Sequence, residues 1–198
     1  MKRFLFAAVA VIAVLFGIMM MLPSEYKVER SLTMDAPAET IFAHVNDFKQ
    51  WPNWMPWIQK DPNMALTFGE NTQGEGGWYS WQSDNDEVGN GKLSIVESQA
   101  GTFIKTKLEF EGMDPGYGSW TFEPSGDQTT VTWGMEGDMG MNPIGKVIAQ
   151  FMDGMVGPDF EKGLASIKEI TEKEFEEVKL LEMQQMAADS SEVEGVME

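Results

Sequence analysis

The chain has 198 residues, 42% of them hydrophobic, which suits one domain of ordinary size plus a terminal segment. It has no cysteine, so a disulfide framework and thiol chemistry are excluded. The formal charge is −18, from 14 Lys and Arg against 32 Asp and Glu, which makes nucleic acid and anionic lipid headgroups poor partners.

The chain opens with Met1-Lys2-Arg3, followed by an uncharged run from Phe4 to Leu22. As a helix, such a run of 19 residues spans about 28 Å, close to the roughly 30 Å hydrocarbon core of a bilayer. It is longer than a usual signal-peptide core, and it ends Met19-Met20-Met21-Leu22-Pro23 without a small-residue cleavage pattern. Residues 1–24 are therefore expected to be a membrane anchor spanning at 4–22, with a cleaved secretory signal as the rival reading. Lys2 and Arg3 precede the span, which places the N-terminus in the cytoplasm and the domain on the extracytoplasmic side of a cytoplasmic (inner) membrane. Without those two charges the remainder holds 12 basic against 32 acidic residues, or −20.

Tyr26–Met34 alternates, with Val28, Arg30, Leu32 and Met34 on one face, and reads as a strand. Asp35-Ala36-Pro37-Ala38-Glu39 is a helix start, with Pro and acids at the first turn. Ile41, Val45 and Phe48 give that short helix its apolar face. Trp51-Pro52-Asn53-Trp54-Met55-Pro56-Trp57 follows, three large rings on chain that two prolines keep from forming a long regular helix. The spacing predicts a second, broken helix that caps something apolar.

From Met64 to Gly137 the period is two, with turn residues between runs. Strands are expected at Met64–Phe68, Trp78–Ser83, Val88–Glu97, Thr102–Phe110, Tyr117–Glu123 and Thr129–Glu136, closely spaced enough for an antiparallel meander. Asn142-Pro143 opens a helical region running to the mid-180s, where Phe160, Leu164, Ile167 and Thr171 form a stripe at helical spacing. Gly154, Gly157 and Pro158 leave open whether this is one kinked helix or two. Residues 25–186 thus form the domain, and 187–198, acidic and small, are expected to be a disordered tail.

The order is strand, two short helices, six strands and a long C-terminal helix. With Asp35–Glu39, Val45-Asn46-Asp47-Phe48, Trp51–Trp57, Tyr79-Ser80-Trp81, Gly89-Asn90-Gly91, Ile95–Ser98, Val131-Thr132-Trp133 and Gly157–Leu164, it resembles the START/SRPBCC superfamily over about residues 26–172. The nearest resemblance is to the polyketide cyclase/dehydrase-like branch. It implies an α+β helix-grip fold, in which a curved antiparallel sheet of about seven strands wraps the C-terminal helix. It also implies a hydrophobic small molecule or lipid held between them. Some members of the superfamily are cyclases or dehydratases and others only carry or sense, so enzyme and carrier both stay open.

Parity puts Tyr79, Trp81, Leu93, Ile95, Thr106, Leu108, Phe110, Trp120, Phe122, Val131, Trp133 and Met135 on one apolar face of the sheet. Taken with the resemblance, the ligand-binding residues are expected to be Trp54, Trp57, Tyr79, Trp81, Leu108, Phe110, Trp120, Trp133, Met135, Met152, Met155 and Phe160. The tryptophan segment and the Met-rich start of the last helical region would form a gate. The alternatives are rings that simply fill a core, giving a cavity-free interaction module, or a cyclase with a polar dyad inside. Met135, Met139, Met141, Met152 and Met155 lack the His or Cys of a copper site, and Asp84-Asn85-Asp86 lacks the Gly and Glu of a calcium loop. His44, the one histidine, has no evident partner and reads as a boundary residue rather than a base. No catalytic residue, metal or cofactor is expected, and the oligomeric state is open.

Overall fold

The computed structural model describes residues 2–196, and the side chains of 4 and 6–188. The elements are α1 (Lys2–Met21), β1 (Glu25–Met34), α2 (Ala38–Asn46), a 3-10 turn (Trp51–Asn53), α3 (Pro56–Lys60), β2 (Ala65–Phe68), β3 (Trp78–Gln82), β4 (Gly91–Gln99), β5 (Phe103–Phe110), β6 (Gly116–Ser125), β7 (Gln128–Asp138), α4 (Pro143–Ala149) and α5 (Met152–Val196). The strands form one antiparallel sheet in the order β1-β7-β6-β5-β4-β3-β2. Six consecutive strands make the meander, and β1 closes onto β7 with Val28 opposite Met135 and Leu32 opposite Val131. Gly126, at φ 64, supplies the left-handed residue that the β6–β7 turn requires. This is the expected helix-grip arrangement.

The inner face follows the parity of the sequence. Val28, Met34, Ile95, Ile104, Trp120, Phe122, Val131 and Trp133 are buried, and they pack against Ile41, Val45 and Phe48 of α2 and Phe160, Leu164 and Ile167 of α5. Two polar clamps fix the helices, one joining α5 to β1 and one joining α3 to α5. Arg30 donates to Asp153 and Glu161, both at 2.7 Å, and Lys60 donates to the buried Asp159 at 2.6 Å. The first clamp explains Gly157, where a Cβ would meet Arg30 Nη2 at 2.0 Å.

The last helical region is two helices, with Asn142 capping α4 through the N–H groups of Ile144 and Gly145, and Pro158 is absorbed near the start of α5. The helix α5 continues past the expected domain boundary at 186, to Val196. Residues 197 and 198 lie outside the described ones. Among the described residues no helix is long and apolar enough to cross a membrane. The expected span 4–22 includes Leu5, whose side chain is not among those described.

Candidate binding cavity

Along β6 the inward positions change character from one end to the other. Trp120 and Phe122 are buried large rings, whereas Gly116 and Gly118 have no side chain at all. A Cβ on Gly118 would meet Thr106 Oγ1 at 2.4 Å. One half of the sheet is therefore filled and the other half is hollow. The hollow is a cavity of about 500 Å³ between the sheet and the start of α5. Its floor is Tyr79, Leu93, Thr106, Leu108, Trp133 and Met135, and its roof is Met152, Val156 and Phe160. The strand β3 adds Trp81, β5 adds Phe110, and α3 adds Trp57 and Ile58.

Of the residues expected to bind a ligand, Trp57, Tyr79, Trp81, Leu108, Phe110, Trp133, Met135, Met152, Met155 and Phe160 are brought together around this space. Trp54 and Trp120 are not. Both are fully buried in the packed half, where they meet edge to face at 5.7 Å. Trp120 also stacks on Trp133 at 4.3 Å, which in turn stacks on Phe160 at 3.9 Å. The indole N–H groups of Trp54 and Trp120 have no hydrogen-bond partner, while Trp51 donates to the Val45 carbonyl at 2.9 Å. Within the tryptophan segment, Trp54 is thus a core plug. Trp51 and Trp57 both line the cavity, and the buried Trp54 between them in sequence packs on Trp51 at 4.8 Å.

Several lining residues were not anticipated. Tyr26, Trp51, Met55, Met64 and Met113 face the cavity, as do Gly116 and Gly118. The inward parity of Gly116 and Gly118, in step with Trp120 and Phe122, was the available signal. Met141 is outside the cavity and exposed.

Polar groups are unevenly placed. Asp86, Glu87, Asp114 and Asp138 stand at the mouth, all exposed, and the interior side chains with polar atoms include Thr106 and Tyr79. Burial pushes the Tyr79 hydroxyl well above its ordinary range, so it stays protonated. Hydrogen bonds from Ser24 and the Gly140 N–H hold Asp138 below the ordinary carboxylate value, so it stays charged. Glu136, on the outer parity, is exposed and not in the lining.

His44 has a partner after all. Its Nε2 lies 2.7 Å from Glu174 Oε2 of α5, a contact between residues 130 apart that local spacing does not reveal. It is buried away from the cavity lining, with Nδ1 unpaired. Asp84-Asn85-Asp86 forms the β3–β4 connection, where Asn85 caps the Glu87 N–H. A polar hollow of about 710 Å³ beside it is lined by Asp61, Asn63, Ser83 and Asn90, whose polar atoms largely bond one another. Among the described residues no cluster of three or more His, Cys, Asp or Glu is placed to hold a metal.

A curved sheet gripping a long helix, with an apolar hollow between them, defines a helix-grip binding domain. The chain belongs to the polyketide cyclase/dehydrase and lipid transport family, whose model matches residues 25–172, within the START/SRPBCC superfamily. No curated sequence matches the chain closely enough to serve as a relative. Among solved structures it is similar to the di-domain ARO/CYC StfQ of the steffimycin biosynthetic pathway (TM-score 0.59, 12% identity, 76% of this chain). The chain spans 51% of that protein's length. It is also similar to the Aha1 dimer of Colwellia psychrerythraea (TM-score 0.53, 13% identity, 74% of this chain and 96% of the other). A protein from Chromobacterium violaceum has TM-score 0.54 and 14% identity over 74% of this chain and 96% of its own. At these identities the likeness concerns the fold.

Proposed function

We propose that the chain is a membrane-anchored carrier that binds a hydrophobic small molecule or lipid between sheet and α5. The observation that carries this reading is the cavity itself: about 500 Å³, apolar and aromatic within, with its carboxylates at the rim. That volume lies in the roughly 300–1,000 Å³ range of small-molecule sites, and it does not suit a filled interaction module. A cyclase or dehydratase needs an acid or base inside the cavity, and the carboxylates at the mouth are exposed, with Asp138 held charged.

The anchor is argued from α1. Val11, Ile12, Val14, Leu15 and Phe16 are all exposed, so this stretch of α1 is apolar on every side, and the domain meets the helix at its C-terminal end, through α4. Residues 4–22 carry no charge, and a lipid phase satisfies such a helix where water does not. Tethering keeps the cavity at high effective concentration beside the bilayer. The domain then sits on the extracytoplasmic side, as Lys2 and Arg3 direct.

The test has two parts. Trp57→Ala and Trp81→Ala, each removing a cavity wall, should weaken binding of an apolar fluorescent probe about tenfold or more, a loss near 1.4 kcal/mol. Unchanged binding contradicts the cavity assignment. Carbonate and high-salt washes should leave the protein in the membrane pellet, and release by either contradicts the anchor.

A further inference from the structure

Apart from α1, Val96 and the distal part of α5, the large apolar side chains that the fold leaves in water gather at one end of the domain. Ile144 and Ile148 lie on α4, Phe151 in the turn and Met155 on α5, and the segment is tied together by the Phe151 N–H donating to the Ile148 carbonyl and the Met155 N–H to the Phe151 carbonyl, so they make one apolar patch, or stripe, at the α4–α5 junction. Each is 40–64% exposed. The opposite side of the same segment is satisfied: Lys146 and Ala149 are buried, and Met152 and Val156 face the cavity. The segment therefore has two apolar faces, and the domain covers only one. Ile148 and Met155, together with the exposed Met113, also line the cavity mouth, so stripe and entrance are continuous.

The stripe is fastened to the end of α1. Lys146 Nζ donates to the Met20 carbonyl at 2.9 Å, an unpaired carbonyl of the helix C-terminus. Gln150 Nε2 donates to the Pro23 carbonyl and the Met139 N–H to the Ser24 carbonyl, both at 3.0 Å. These bonds hold the exposed stripe beside the point where the apolar helix leaves the domain. Between residues 139 and 157 the charged side chains are Lys146 and Asp153, and both are engaged, with Met20 and with Arg30.

We infer that the Ile144–Met155 stripe docks on the surface of the bilayer that α1 enters, so that the cavity mouth opens onto lipid. This rests on the anchor and carrier reading above. Attachment is by insertion of apolar side chains at the headgroup boundary and needs no anionic lipid, which agrees with a chain of charge −18. The carboxylates at the mouth, Asp86, Glu87, Asp114 and Asp138, are all exposed, and in the docked domain they would face the water and headgroups rather than the acyl chains.

Because the chain has no cysteine, a single substitution takes one nitroxide label. The full chain is reconstituted in phosphatidylcholine vesicles, and accessibility to dissolved oxygen and to a water-soluble nickel chelate is read at Val11→Cys, Phe151→Cys and Glu123→Cys. The expected result is a lipid-phase reading at Val11 and Phe151 and an aqueous reading at Glu123. Adding Ile144→Asp should move the Phe151 label toward water while Val11 stays in lipid. Lipid at Val11 with water at Phe151 overturns the docking and leaves the anchor standing, whereas water at Val11 overturns the anchor on which the docking rests. Spectral broadening at Phe151 that grows with the protein-to-lipid ratio would mean that a second copy covers the stripe, and also overturns it.

Discussion

On β6, four inward positions decide whether the domain is a container. Trp120 and Phe122 fill their half of the sheet, and Gly116 and Gly118 leave the other half empty. Gly118 is further constrained by Thr106, buried on the neighbouring strand with Oγ1 2.4 Å from where a Cβ would stand. Gly118→Ala should destabilise the domain by about 1–3 kcal/mol through overpacking. In a Thr106→Ala background the cost should shrink by roughly 1 kcal/mol or more, since the obstructing oxygen is gone. Urea unfolding of the four proteins measures the coupling, and strictly additive losses would refute the contact. The tryptophans show what residue-level reading can and cannot resolve. Their number and the two prolines announce a compact, broken aromatic segment that caps something apolar. Which ring turns inward depends on the 3-10 turn at Trp51–Asn53 and the short α3, and these rotate Trp54 into the core and leave Trp51 and Trp57 facing the cavity.

Among the elements, the strands were the most legible, because a half-buried antiparallel sheet requires alternation and each inward residue named from parity lies on the inner face. Less legible were contacts between distant elements. Arg30 reads as an inward strand position, yet it serves to hold α5 through Asp153 and Glu161 over the bare Cα of Gly157. His44 and Glu174 are likewise joined only by the packing of α2 on α5. The Arg30 clamp carries a pH dependence. Its hydrogen bonds hold the Asp153 carboxyl below its ordinary 3.8, so the folded chain favours the charged form. That stabilisation is complete above about 3.8 and is lost as pH falls through the lower folded value. The stability gap between wild type and Arg30→Met should therefore be widest near neutral pH and close under acid. A gap that is unchanged to the lowest pH at which the chain folds would show that Arg30 acts through packing alone.

For the whole molecule, the fold was legible because the order of elements and the residues at their junctions constrain one another, and the family model covers the same stretch, 25–172. The extent of α5 was not, since an acidic run reads equally as solvated tail or solvated helix. The contents of the cavity are set by shape rather than by any motif, which is why the lining was partly foreseen and the ligand class was reached only through the resemblance. The central claim is that this hollow holds an apolar molecule. Native mass spectrometry of the full chain, purified in mild detergent, tests it most directly. An added mass of lipid or comparable apolar size is expected on the wild type, and none on a Gly116→Leu/Gly118→Leu variant whose cavity is filled. A wild type without added mass, or one whose adduct survives in the filled variant, would contradict it.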